Sequence, residues 1–232
     1  FAEVCESSGI KFIGPSADSM RNLGDKASAR VAAKKAKVPI VPGSDGVIED
    51  DNETLAIAER VGFPIIIKAS AGGGGRGMRV VHDKTDLVAT LKQARAEAGG
   101  AFNNSAVYIE RFIERPRHVE VQIIGDHHGN VVHFGERDCT LQRRHQKLVE
   151  ESPSSGITSR VRADLCASAV KLAKASNYNN AGTVEFLVDA KGRFYFIEVN
   201  TRIQVEHPVT EMITDIDLVI EQIRVAAGNA LE

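Results

Sequence analysis

The sequence predicts an α+β fold made of a small lobe and a larger antiparallel-sheet lobe, with a remnant of a doubly wound α/β domain in front. Three observations carry this reading. A helix-then-strand piece at 1–15 looks like the last βα step of a wound domain. Helix, strand, glycine turn, strand, helix and strand patterns then follow one another between 52 and 112. A longer, strand-rich section starts near 118.

Taken in order, 1–8 reads as an amphipathic helix already under way. Lys11, Phe12, Ile13, Gly14 and Pro15 read as a short buried strand. Helices are predicted at 17–23 and 26–37, the second opened by Asp25 as N-cap and closed before Pro39. Pro39, Pro42 and Gly43 mark a boundary. The small lobe comprises helix 52–61, strand 64–69, the glycine turn, strand 78–82, helix 85–98 and strand 107–112. The larger lobe comprises strands 118–125 and 131–137, a polar loop over 138–156, helix 159–176, strands 183–189 and Phe194–Asn200, and helix 217–227. A loop of that length exceeds the roughly 12–15 residues that compact domains leave unstructured, which argues for function. The expected domains are 1–14 (remnant), 15–40 (helical linker), 41–111 (lid with glycine-rich loop) and 112–232 (core). The first residue is Phe1, so the chain is expected to be a piece of a longer protein.

The 232 residues can bury a proper core, and 43% hydrophobic with 26% charged residues is ordinary globular composition. A formal charge of -2 gives no global field for nucleic acid, so none is expected as a partner. No apolar run approaches the roughly 20 residues needed to span a bilayer, and no membrane association is expected. Cys5, Cys139 and Cys166 lack disulfide or zinc spacing and read as reduced thiols. The expected location is the cytoplasm, or the mitochondrion in a eukaryote.

Between Lys68 and Gly77 lie Gly72, Gly73, Gly74 and Gly75. A dinucleotide fingerprint would open a helix, and a Walker A loop would end in Gly-Lys-Ser/Thr; the residues that follow, Met78 to Val81, are strand-like instead. A strand, glycine hairpin and strand can fold over a triphosphate and offer backbone N–H groups, with Lys68 adding a point charge. The bland alternative is a surface hairpin with a solvated lysine.

Glu198 and Asn200 are two apart on one strand and share a face. An even-numbered hairpin loop would bring Glu185 of the preceding strand beside Glu198. Clustered carboxylates repel unless a cation compensates, and two carboxylates with an amide oxygen suit magnesium. The competing reading is a solvated edge strand. The loop run Arg137, Gln142, Arg143, Arg144, His145 and Lys147 is too short and mixed for a nucleic-acid arm and on its own reads as a solvated charge run. After Asn200, the alternation Arg202, Gln204, Glu206 can bind a small planar anion such as bicarbonate and supply it with a base. His207 precedes Pro208 and reads as structural.

These residues resemble the biotin carboxylase family of ATP-grasp enzymes over essentially the whole chain. The segments that carry the resemblance are 9–16, 68–78, 117–120, 136–147 and 196–210. It implies an ATP-grasp fold holding ATP between the lid lobe and the larger sheet. It implies phosphate contacts for Lys26, Lys68, Gly73, Gly74 and Gly75, the adenine amino group for Glu110, and the ribose side for His118, Gln142 and His145. Glu185, Glu198 and Asn200 fall on the family's magnesium (or manganese) positions. Arg202, Gln204 and the Val205 backbone fall on its bicarbonate site, with Glu206 as general base and Lys147 beside the reacting phosphate. Arg111 stands where some relatives carry lysine.

The implied activity is the carboxylation of biotin, carried as substrate on a carrier protein or domain, from ATP and bicarbonate through carboxyphosphate. A carboxyltransferase is the implied further partner and a homodimer or larger assembly the implied state. The final acceptor is left open among acetyl-CoA, propionyl-CoA, pyruvate and urea. Family members are longer and carry a later arginine for the biotin enolate, so weak or absent carboxylation of free biotin is expected of residues 1–232 alone. A carbamoyl-phosphate synthetase domain is the alternative ligase, and a nucleotide-binding module without chemistry is the alternative from another class.

Overall fold

The computed structural model describes residues 1–48, 50–71, 77–144 and 146–231, with the backbone alone at 51 and 52. The chain forms two compact units: Phe1–Ile40 with Arg115–Gln142 and Lys147–Glu232, and Val41–Glu114 with Arg143–Gln146.

The first unit opens with α1 (Ala2–Ser7), α2 (Ala17–Gly24) and α3 (Lys26–Lys35). Ser16 and Asp25 take orphan N–H groups of the first turns of α2 and α3, accepting from Ser19 at 3.1 Å and Ser28 at 2.8 Å. The Asp25 cap is the one the sequence predicts. Residues 13–15 form bends and 11–12 no regular structure, rather than the expected buried strand, with Ile13 at 51% exposure. Apolar composition makes a strand only where another edge accepts its hydrogen bonds, and no strand among the described residues pairs with this segment. Residues 15–40, read as a linker, belong to the core of this unit through Leu23, Ala29 and Ala33.

The second unit contains α4 (Asp51–Val61), β1 (Ile65–Ala69), β2 (Met78–Val81), α5 (Leu87–Phe102) and β3 (Val107–Arg111). Its sheet runs β2-β1-β3, antiparallel throughout, so the glycine segment joins two paired strands as its flanks suggested. Leu87, Leu91, Ala94 and Ala98 recur at helical spacing along α5 and share a core with Ile65, Ile67, Val107 and Ile109. The Arg111 side chain donates to the Val61 carbonyl at 2.6 Å, satisfying a free acceptor at the end of α4.

The chain continues with β4 (Arg117–Gly125), β5 (Val131–Asp138), β6 (Gln142–Arg143), β7 (Gln146–Lys147), α6 (Ser159–Ala175), β8 (Asn180–Val188), β9 (Phe194–Asn200), α7 (His207–Thr214) and α8 (Leu218–Ala226); all of these lie in the first unit except Arg143 of β6 and Gln146 of β7. The main sheet has the order β5-β4-β8-β9, all antiparallel. One face is apolar: Val119, Val121, Val184, Phe186 and Phe196 pack with Leu165, Ala169 and Leu172 of α6 and with Ala29 and Ala33 of α3. Phe186 meets Phe194 and Phe196 edge-on, with centroids 5.7 and 6.3 Å away.

Helix α7 was not among the elements expected from the sequence, although Pro208 stands in its first turn. Proline in a first helical turn costs nothing, because its missing N–H has no partner there anyway. Among the described residues no helix is long and apolar enough to cross a membrane.

Candidate functional site

The opposite face of the main sheet is polar and largely buried, with Glu198 and Asn200 of β9 partly exposed. Strand register explains why. Arg137 of β5 faces Glu120 of β4, Glu120 faces Glu185 of β8, and Glu185 faces Glu198 of β9. Four ionisable residues therefore form one row across four strands. Gln122, Thr183 and Asn200 form the next row.

The alignment of Glu185 with Glu198 depends on a β-bulge. From the turn, β8 and β9 pair as Val188 with Phe194 and Phe186 with Phe196, a register that would set Glu185 against Ile197. The loop 189–193 has an odd number of residues, contrary to the condition stated for the sequence. The register then shifts by one residue between Glu185 and Phe186, leaving Ile197 as the extra residue and putting Glu198 opposite Glu185. Burial follows: Phe196 and Val199 both reach the core, whereas Glu198 and Asn200 take the polar face. Asn200 Nδ2 donates to Glu185 Oε1 at 2.7 Å, which leaves the Asn200 carbonyl oxygen to accept. Two carboxylates and that oxygen make an all-oxygen donor set, which fits a hard divalent cation. Lys26, the first residue of α3, reaches Glu198 at 3.2 Å.

Lys147 is the hub of the buried carboxylates. Its ammonium contacts Glu120, Glu185 at 3.0 Å and Glu206 at 2.7 Å. Burial alone would favour neutral lysine, but Glu185 and Glu120 outweigh it and raise its proton affinity well above the usual range. Burial likewise opposes ionisation of Glu185, yet the His118 hydrogen bond and charge, followed by Lys147, hold it well below the ordinary carboxylate range. Glu206 follows the same logic: burial is overcome by the hydrogen bond and charge of Lys147, and the carboxyl is ionised at neutral pH.

His118 Nε2 lies 2.8 Å from Glu185, and its Nδ1 lies 3.0 Å from Gln142 Nε2. Gln142 Nε2 also donates to the Cys139 carbonyl at 2.8 Å, which fixes the amide orientation and makes Nδ1 the acceptor in the neutral ring. Burial disfavours charging this ring, but Glu185 prevails and raises its pKa above the ordinary histidine value.

The other predicted residues are placed as follows. Gln204 is 4% exposed, with Nε2 at 3.3 Å from Glu185 Oε1. Arg202 is exposed and donates to the neighbouring Ile203 carbonyl, and Val205 is 89% exposed. In the second unit, Lys68 and Glu110 pair at 2.5 Å. Gly73, Gly74, Gly75 and His145 lie outside the described residues. His207 Nδ1 sits 2.9 Å from Glu211, one turn along α7, without hydrogen-bond alignment.

Two residues of the site were missed as candidates. Glu120 and Arg137 are both fully buried and paired at 2.7 Å. The available signal was polar alternation at His118, Glu120 and Gln122 in an otherwise apolar strand. Donor atoms of His118, Glu120 and Glu185, and of Glu120, Cys139 and Glu206, also come within 4.8 Å of one another. Lys147 already contacts carboxylates of both groups, and the Cys139 thiol is pushed far up, by burial first and Glu120 second, so its sulfur stays protonated.

Comparison with known proteins identifies the family of the chain. Residues 25–232 match the family model described as carbamoyl-phosphate synthase L chain, ATP binding domain. A biotin carboxylase from Nostoc sp. is 55% identical over 231 residues, covering 100% of this chain and 52% of that protein. A biotin carboxylase complex from Campylobacter jejuni, described as holding beta-gamma-ATP, superposes with a TM-score of 0.96 at 50% identity, over 100% of this chain and 52% of that one. The biotin carboxylase domain dimer of Hydrogenobacter thermophilus 2-oxoglutarate carboxylase, described in complex with MgADP, ADP and bicarbonate, gives 0.95 at 51% identity, over 100% and 51% of the two chains. The chain thus spans about half the length of these relatives. It belongs to the family of the carbamoyl-phosphate synthase L chain ATP-binding domain, and within it to the ATP-grasp domains of biotin carboxylases.

Proposed function

We propose that the protein carrying this chain uses ATP and magnesium to carboxylate biotin on a carrier protein or domain, drawing on bicarbonate through carboxyphosphate. The observation that carries this is the ionised, nearly buried Glu206 held 2.7 Å from Lys147 and two residues beyond Gln204. Such a carboxylate can take a proton from an anion bound at Gln204 and Arg202, while Lys147 supplies positive charge beside it. As Glu206 takes the bicarbonate proton, the freed oxygen bonds to the γ-phosphorus. The bond to the ADP oxygen breaks, and carboxyphosphate and ADP result.

Glu185, Glu198 and Asn200 would hold the magnesium ion. When bound, it would offset their charge and that of the nucleotide phosphates. Lys26 and Lys68 are assigned to phosphates, together with the backbone of Gly73, Gly74 and Gly75. Glu110 is assigned to the adenine amino group, and His118, Gln142 and His145 to the ribose side. Gln204, Arg202 and the Val205 backbone are assigned to bicarbonate. The strong exposure of Arg202 and Val205 leaves both accessible to a small anion. The carrier partner, a carboxyltransferase and a homodimeric or larger assembly complete the proposal. The cysteines are free and buried, which supports a reducing compartment such as the cytoplasm.

The deciding experiment is ATP hydrolysis by the full-length protein with bicarbonate and biotin added or withheld. The proposal expects turnover that needs bicarbonate, rises with biotin and is indifferent to ammonia. Ammonia-dependent turnover would point instead to carbamoyl-phosphate synthesis, and a lack of turnover to a binding module.

A further inference from the structure

Arg137 is the most completely enclosed cation among the described residues, with a side-chain exposure of 0%. An arginine so placed must match every N–H it carries, because each unmet donor in the interior is costly. All five are matched. Nε donates to Glu120 Oε1 at 2.7 Å, Nη1 to Gln122 Oε1 at 2.9 Å and Thr210 Oγ1 at 2.8 Å, and Nη2 to Gln204 Oε1 at 3.1 Å and Thr183 Oγ1 at 3.4 Å.

Two of these contacts bear on the proposed chemistry. A guanidinium has no acceptor, so the Gln204 atom facing it is the carbonyl oxygen, and the Gln204 NH2 is turned the other way, toward Glu185. Glu120 receives Arg137 on one oxygen and Lys147 on the other, and Lys147 in turn holds Glu206. The same rigid fork thus sets the donor side of Gln204 and anchors the lysine beside the base. Its partners come from β4, β8, the segment before α7, and α7 itself, so local sequence alone could not have specified it.

We propose that Arg137 is a positioning residue for bicarbonate: it presents the Gln204 NH2 to the anion and fixes Lys147 and Glu206 through Glu120. This rests on the reading of Gln204, Lys147 and Glu206 given above. Arg137→Lys keeps the charge but offers three donors without the planar fork. In the full-length protein, R137K is expected to raise the KM for bicarbonate about tenfold or more, the size of one charge-assisted hydrogen bond. The KM for ATP should stay within about twofold, because the other contacts assigned to the nucleotide are untouched. Thr210→Val loosens the same fork by one neutral hydrogen bond and should raise the bicarbonate KM about threefold. It serves as the readout if R137K does not fold.

A purely structural role predicts something else: lower thermal stability with both KM values unchanged, or with both raised in parallel. Either result in folded, active variants overturns the proposal. If the unsubstituted protein shows no bicarbonate-dependent ATP turnover, the underlying functional reading fails instead, and the two failures are thereby told apart.

Discussion

Glu185 stands directly opposite Glu198 because Ile197 is bulged out of β9, which moves the strand by one residue and sends Glu198 to the polar face. Without that extra residue, Glu198 would share a face with Phe196 and lie in the core. The bulge is therefore the local device that makes a two-carboxylate site from a strand whose other half is packed.

The metal assignment predicts a specific kinetic signature. Glu198→Gln should raise the magnesium concentration needed for half-maximal ATP turnover by about tenfold or more, as loss of one charged ligand does. A magnesium titration of initial rates checks this. An unchanged midpoint would remove Glu198 from the ligand set.

Glu206→Gln addresses the base. Removing it should lower kcat by roughly 100- to 1,000-fold, the scale seen when one preorganised group is lost, while ATP affinity barely changes. Steady-state kinetics combined with ATP-binding calorimetry separates the two effects. Similar turnover in both proteins would exclude Glu206 as the proton acceptor.

The core face carries its own prediction. Phe186 is fully buried and packs edge-on against Phe194 and Phe196, so Phe186→Ala should cost about 3–5 kcal/mol. Urea denaturation monitored by circular dichroism measures the loss. A change below about 1 kcal/mol would mean that the surrounding side chains collapse into the space.

Acid sensitivity should report on Asp126. Burial works against its ionisation, but backbone N–H groups of Leu231, Asn130 and His128 and the Asn130 side chain hold its carboxyl well below the ordinary value. A depressed folded-state pKa contributes stability above the unfolded value of about 4, and this is lost as pH falls further. Asp126→Asn should thus be less stable than the parent at pH 7, and the gap should narrow below about pH 4. Thermal unfolding at pH 7, 5 and 3 tests the sign: a gap that widens toward acid contradicts it.

Much of this was legible from residue order. Period-two alternation and tight turns marked β4, β5, β8 and β9 within a residue or three, and Asp25 marked a helix start that its side chain does cap. The short segment 11–15 and helix α7 were not. A strand requires a partner edge, and a proline can begin a helix as well as end one.

By itself, the sequence pointed to the α+β class, to two strands flanking the glycine run, to free cysteines and to candidate side chains for a nucleotide, a cation and a small anion. These follow from composition, periodicity and short-range spacing. Only the tertiary structure decided that Arg137, Glu120, Glu185 and Glu198 line up in one row and that Lys147 ties three carboxylates together. Cross-strand register joins residues far apart in the chain, and a single bulged residue reverses which face each side chain takes.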